Sequence, residues 1–372
     1  MKRLILLLTL VCAVIMSPIC TYASGDNSGE EKKINPKEII FEHLGDGYGW
    51  EVPFCHDLRI PLPVIVRDYE GKWHCFSSAR IQHGDSYDGF ALGSTDSKWH
   101  NKVIGFKPVT VDGKTVMQEY RPLDLSITKN VLAILISVAL VMWMVLKMAA
   151  WYRRAGFKAP RKVTGMIEFI IEFVYNGVVK PTLGVKAPKF APYLMTVFFF
   201  ILVMNLLGLI VIFPGGANLT GNIAVTLVLS LITFLCVNLF GTKHYWKEIF
   251  WPDVPLWLKF PIPIMPVIEI FGVFTKPAAL TIRLFANMMG GHIIVIVLTL
   301  LIFILGALGA AVAGATTVVS VLFSIFMLLI DVLVSFIQAY VFTMLSTLFI
   351  SLAQEDGHGE AHHGDAQAPV KN

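Results

Sequence analysis

The chain has 372 residues, of which 55% are hydrophobic and only 15% charged, with a mean hydropathy of +0.67 and a formal net charge of +4. A soluble domain carries about 25% charged residues, so this composition excludes an ordinary soluble protein and implies an integral membrane protein. The small positive balance has no basic stripe and gives no sign of a nucleic-acid partner.

Residues 1–23 have the layout of a secretory signal. Lys2 and Arg3 precede a short apolar core, and Thr21-Tyr22-Ala23 offers a cleavage site. An uncleaved first membrane helix is the alternative. Residues 24–128 are of a different kind: polar, rich in Gly, Asp and His, with short runs of strand type. The run 58–66 and the run 72–77 flank Asp68-Tyr69-Glu70-Gly71, a hairpin signal. A second hairpin is expected from 109–111 and 115–118 around Asp112-Gly113. We expect a small β-rich extramembrane domain there, without a catalytic constellation and with its scattered histidines at the surface. Cys55 and Cys75 fall in this segment. Unpaired thiols, a disulfide and a zinc site with His56 and His74 all remain open, because spacing does not fix connectivity.

Residues 131–146 carry no charge and are long enough, with their apolar continuation to Met148, to span a bilayer. Arg153, Arg154, Lys158, Arg161 and Lys162 follow without an acid between them. The positive-inside rule makes this loop cytoplasmic and the preceding domain external, as the signal sequence also requires. Residues 166–180 are amphipathic, with Glu168 and Glu172 on one face, and read as an interfacial helix. From 190 to 242 there is no Asp, Glu, Lys or Arg. Pro214-Gly215-Gly216 and Gly221-Asn222 divide this run into helices over 191–213 and 223–240. Lys243, Lys247 and Lys259 mark the next loop as cytoplasmic. Two segments longer than a bilayer needs, 264–305 and 316–353, are joined by small residues over 306–314 and are expected to tilt. The tail, 355–372, is Gly-, His- and acid-rich and reads as a disordered cytoplasmic extension. The expected fold is an all-α polytopic membrane protein of about five crossings, with an interfacial helix, a long tilted C-terminal hairpin and the small β-rich N-terminal domain. The boundaries are 1–23, 24–128, 129–354 and 355–372.

The chemistry concentrates in the last two segments. From 284 to 354 the only residue fully charged at neutral pH is Asp331, and His292 is the other titratable group near physiological pH. Arg283 opens that stretch. An arginine at membrane depth is costly and cannot deprotonate, so it marks function by default. At 100° per residue, Asn287 and Gly290 share the face of Arg283. Glu269 lies on nearly the same face about 21 Å away along the axis, and His292 about 13 Å away on the opposite face. Asp331 and Gln338 share a face of the last helix. Ala278, Ala279, Ala286, Gly290 and Gly291 keep the Arg283 helix slim for close approach. A permanent Arg283–Asp331 ion pair would neutralise both and leave His292 unexplained. Glu269 and Lys276 could simply face the inner membrane interface.

Residues 165–354 resemble subunit a of the F-type ATP synthase. The strings that carry the resemblance are KFAPYLMTVFFFILVMNLLGL from Lys189, KPAALTIRLFANM from Lys276 and QAYVFTMLSTL from Gln338. The signal sequence and the external domain resemble extensions in one subset of bacterial members. The resemblance implies a proton-conducting, non-catalytic stator subunit of a bacterial inner membrane, with no cofactor and no metal. Its implied partners are the rotating ring of c subunits, the subunit b stalk, the rest of the complex and the lipid bilayer. It assigns Arg283 to the ring-facing position and Asn287 and Gln338 to its polar partners. It assigns His292 and Asp331 to an outer proton path, and Glu269 to the inner side. From the hairpin we expect two polar levels, Arg283 with Gln338 and His292 with Asp331, about 10–14 Å apart by helical rise.

Overall fold

The computed structural model describes residues 45–354 apart from breaks at 53–54, 82–84, 95–96, 112–113, 157–159, 161–162, 211–217, 251–263 and 307–309. The expected signal segment, the C-terminal tail and the Pro214-Gly215-Gly216 break lie outside the described residues. The described residues divide into two units, one through Leu132 and the other from Ala133 on.

The first unit is β-rich. Its strands are β1 (Gly49–Val52), β2 (Cys55–Pro61), β3 (Pro63–Arg67), β4 (Trp73–Ser77), β5 (Phe90–Leu92), β6 (Val103–Val111), β7 (Lys114–Tyr120) and β8 (Leu123–Asp124). They form three antiparallel sheets, β1-β2, β4-β3-β8 and β5-β6-β7. The run expected over 58–66 is broken at Leu62, whose buried side chain separates β2 from β3. The turn before β4 forms as expected. Asp68 N–H donates to Lys72 O and Gly71 N–H to Asp68 O, with Gly71 at φ +87°, where a side chain would be strained. The second hairpin is longer than its sequence signal, because β6 and β7 pair from Gly105↔Tyr120 to Val111↔Lys114. Tyr48, Val64, Val66, Phe76, Ile81, Phe90 and Val103 form the core of this unit. The histidines are not all at the surface: His74 is half-buried, and its Nδ1 pairs with the Asp88 carboxylate. Cys75 is a free, exposed thiol. Among the described residues no group of three His, Cys, Asp or Glu side chains is placed to hold a metal.

The second unit is helical, and its first helix begins within the first unit. Its helices are α1 (Lys129–Ala155), α2 (Val163–Val174), α3 (Lys180–Leu183), α4 (Ala187–Leu209), α5 (Ile223–Leu239), α6 (Lys243–Phe250), α7 (Ile264–Gly306) and α8 (Ala310–Ala353). The amphipathic segment expected over 166–180 forms α2 and the turns that follow it. Helical backbone runs from Val163 to Leu209 through a π turn at Tyr175–Val179 and a 3-10 turn at Gly184–Lys186. Helix α8 starts at Ala310, inside the run of small residues expected as the connection, because alanine has the strongest helix propensity. Asn222 caps α5 by accepting from Ala224 N–H at 3.0 Å. Helix α6 follows at a bend of 103°. Among the described residues four helices are long and apolar enough to cross a membrane, or five if α5 and α6 are one broken span. Helix α4 is the centre of this unit, with Leu194, Phe198, Ile201 and Met204 fully buried and its neighbours packed around them.

A polar seam in the terminal hairpin as the candidate functional site

Helices α7 and α8 run antiparallel, and two contacts fix their register. Asn287 Nδ2 donates to Gln338 Oε1 at 2.8 Å. Further along, a Cβ added to Gly291 would lie 2.7 Å from Asp331 Oδ1. The Asp331 carboxylate therefore occupies the space that the missing side chain of Gly291 leaves, beside His292 in the chain. Asp331 and His292 are both half-buried. The aspartate lies at the level expected for it, offset by one residue.

The other expected level is shifted. Gln338 is buried and meets Asn287, not Arg283, one helical turn away. Its own Nε2 is buried, and among the described residues nothing bonds to it. Arg283 is exposed, as are Ile282, Ala286 and Asn287 on the same side of α7. No ion pair between Arg283 and Asp331 occurs among the described residues. Glu269 is half-buried near the start of α7, fourteen residues before Arg283.

A second polar region lies toward the start of α7, and sequence periodicity did not single it out. Thr281 Oγ1 donates to Pro277 O at 2.9 Å and lies 2.5 Å from Ser230 Oγ on α5. Tyr193 Oη on α4 is 2.9 Å from Thr233 Oγ1. Next to these is a cavity of about 20 Å³, enough for one water molecule. Ser230, Thr233, Asn238, Tyr245 and Lys276 supply its polar wall. Pro277 has no N–H to give the carbonyl of Val273, and both residues line the cavity. The available signal was the spacing of Ser230 and Thr233 on one face of an otherwise apolar helix. Seven residues separate Lys276 from Arg283, so the two lie on nearly the same face.

The arrangement is a fixed cation at the surface of a slim helix, a part-buried amide pair one turn on, and a carboxylate at the level of a histidine beyond it. These groups can carry or stabilise charge, but none is a nucleophile with a base.

The sequence profile of the family described as ATP synthase A chain matches residues 131–351. That of a family described as a domain of unknown function (DUF8433) matches residues 39–125. The chain is 46% identical over 262 residues to ATP synthase subunit a 2 of Chlorobaculum tepidum, covering 65% of this chain and 69% of the relative. It is 40% identical to ATP synthase subunit a of Pelodictyon phaeoclathratiforme, covering 71% and 77%. Over 355 residues it is 33% identical to ATP synthase subunit a of an Anaeromyxobacter species, covering 91% and 76%. With a family match over more than half of its length and apolar helices of membrane-crossing size, the chain belongs to the ATP synthase A chain family and is a membrane component of proton-transporting ATP synthesis.

Proposed function

We propose that this chain is the stator of the membrane motor and that Arg283 faces a carboxylate on a rotating ring of c subunits. The observation that carries this reading is the position of Arg283. It is exposed on the side of an apolar helix, and no ion pair joins it to Asp331, the one carboxylate of the hairpin beyond it. A permanent cation at membrane depth needs a counter-charge, and here a partner supplies it.

A proton enters from outside and passes Asp331 and His292 to reach the ring carboxylate. Histidine suits that relay because its ordinary pKa lies near neutrality. The neutral carboxyl then travels through lipid at low cost. When it meets Arg283, the fixed charge lowers the carboxyl's pKa and releases the proton. Release goes to the inner side past the Lys276 cavity and Glu269. Asn287 and Gln338 hold the two long helices in register one turn from the arginine. The same charge blocks a direct leak between the two paths. Each proton contributes about 2.3 kcal/mol per 100 mV. The chain performs no bond chemistry itself. In this reading a subunit b stalk anchors it in a bacterial inner membrane, with the N-terminal unit outside and the C-terminus in the cytoplasm.

The test is Arg283→Ala and Arg283→Lys in membrane vesicles. Both variants assemble and lose ATP-driven proton pumping. Lysine fails because it deprotonates when desolvated and lacks the planar fork. Pumping at the unmodified rate by either variant overturns the mechanism.

A further inference from the structure

In the sheet β4-β3-β8 the usual alternation is inverted at its last strand. Asp124 and Ser126 point inward, where the Asp124 carboxylate accepts from Tyr48 Oη and Ser126 Oγ accepts from Ile65 N–H at 3.0 Å. Leu123 and Leu125, between and beside them, point outward and are 55% and 60% exposed. A strand that hides its polar side chains and presents its leucines is built for an apolar environment on its outer side.

The register extends this face across the sheet. Trp73, Arg67 and Leu123 are direct cross-strand neighbours, and Cys75 and Ile65 form the next row. Leu125 completes that row through its N–H, which donates to Ile65 O at 2.9 Å. Trp73 is 56% exposed, and the Arg67 guanidinium lies 5.8 Å from its ring centre. A tryptophan paired with a cation beside aliphatic side chains is the composition of a membrane–water interface. A dry protein interface is instead depleted of charge at its centre.

The chain itself says what lies close to this face. Leu125 is four residues before Lys129, the first residue of the membrane-crossing helix α1. Four residues reach about 13 Å at most. That connection is not slack. Lys129 N–H donates to Gly47 O at 2.9 Å and Asn130 N–H to Asp46 Oδ1 at 3.2 Å, so the first turn of α1 is bonded to the sheet unit.

We propose that the outward face of sheet β4-β3-β8 lies on the bilayer surface from which α1 enters. Leu123 and Leu125 reach the acyl boundary, Trp73 sits at headgroup depth, and Arg67 pairs with lipid phosphate. The occupant is lipid of the bilayer, not another protein. The unit is thereby held against the membrane surface beside the start of α1.

The experiment uses the assembled complex in vesicles of phosphatidylcholine and phosphatidylglycerol, with the other cysteines replaced. A nitroxide is attached to the native Cys75, and in separate variants to Leu125→Cys and, as a solvent reference, Ser94→Cys. Cys75 needs no substitution on the face, so the test survives if Leu125→Cys misfolds. Collisions with oxygen exceed those with a water-soluble nickel chelate at Cys75 and Leu125→Cys, and the order reverses at Ser94→Cys. Nickel access at the face equal to that at Ser94→Cys places it in water and overturns the proposal. An immobilised label shielded from both reagents shows a protein covering and also overturns it.

Discussion

The Asp331 carboxylate fills the space above Gly291, 2.7 Å from where a side-chain carbon would begin. The missing side chain of one helix is the berth of the charged group of the other. This close approach brings the carboxylate to the level of His292.

Gly291→Ala therefore acts on Asp331 directly. The added carbon meets the end of an aspartate side chain, which shifts by rotation. The cost in stability is at most about 1–3 kcal/mol, offset by up to about 1 kcal/mol from the better helix propensity of alanine. Assembly survives, but the carboxylate moves off its place and proton flux falls. ATP-driven acidification of vesicles checks this, with unaltered subunit content by gel as the control.

Asn287 and Gln338 form the hydrogen bond that locks α7 to α8. Gln338→Leu and Asn287→Ala each weaken the assembled complex to heat, and the double variant loses less than the sum of the two. The coupling is about 0.5–1.5 kcal/mol, the net value of one hydrogen bond. Thermal release of the subunit from the complex measures it. Strictly additive losses would show that the pair is not coupled in the membrane.

Ser94, exposed in the β-rich unit, reports sidedness. A Ser94→Cys variant lacking Cys55 and Cys75 reacts with impermeant thiol reagents in intact spheroplasts, because the basic loop after α1 holds that loop in the cytoplasm. Labelling only after permeabilisation reverses the topology.

Tyr48 gives the β-rich unit an alkaline limit. Burial first, then the hydrogen bond to Asp124, raises its pKa well above the ordinary tyrosine value. A group whose pKa is raised on folding contributes stability that is complete below its unfolded pKa, about 10, and is lost as pH rises through the folded value. Protection of the β3 and β8 amides relative to their intrinsic, base-catalysed exchange falls above about pH 10 in the assembled protein. Tyr48→Phe removes that titration. It also leaves Asp124 short of a donor, at a cost of about 1–3 kcal/mol at neutral pH.

Several features are determined by the sequence alone. A run of apolar residues long enough to cross a bilayer has one physical outcome, so α1, α4, α5, α7 and α8 are all legible in composition. The depth of Arg283 is legible for the same reason. The turn at Asp68–Gly71 is equally local, because only a few residue types accept its backbone, and the Asn222 cap follows from one side chain meeting one N–H. The tertiary structure decides which polar groups meet. Periodicity reports the faces of one helix but not its axial shift or rotation against the next, so Gln338 was expected beside Arg283 and lies against Asn287. It also decides that Leu62 breaks a continuous strand signal, and that Ser230, Thr233 and Lys276 share a water-sized cavity. It decides that Leu123 and Leu125 face outward while Asp124 and Ser126 are bonded inside, because the two faces of a strand are distinguished only by what packs against them.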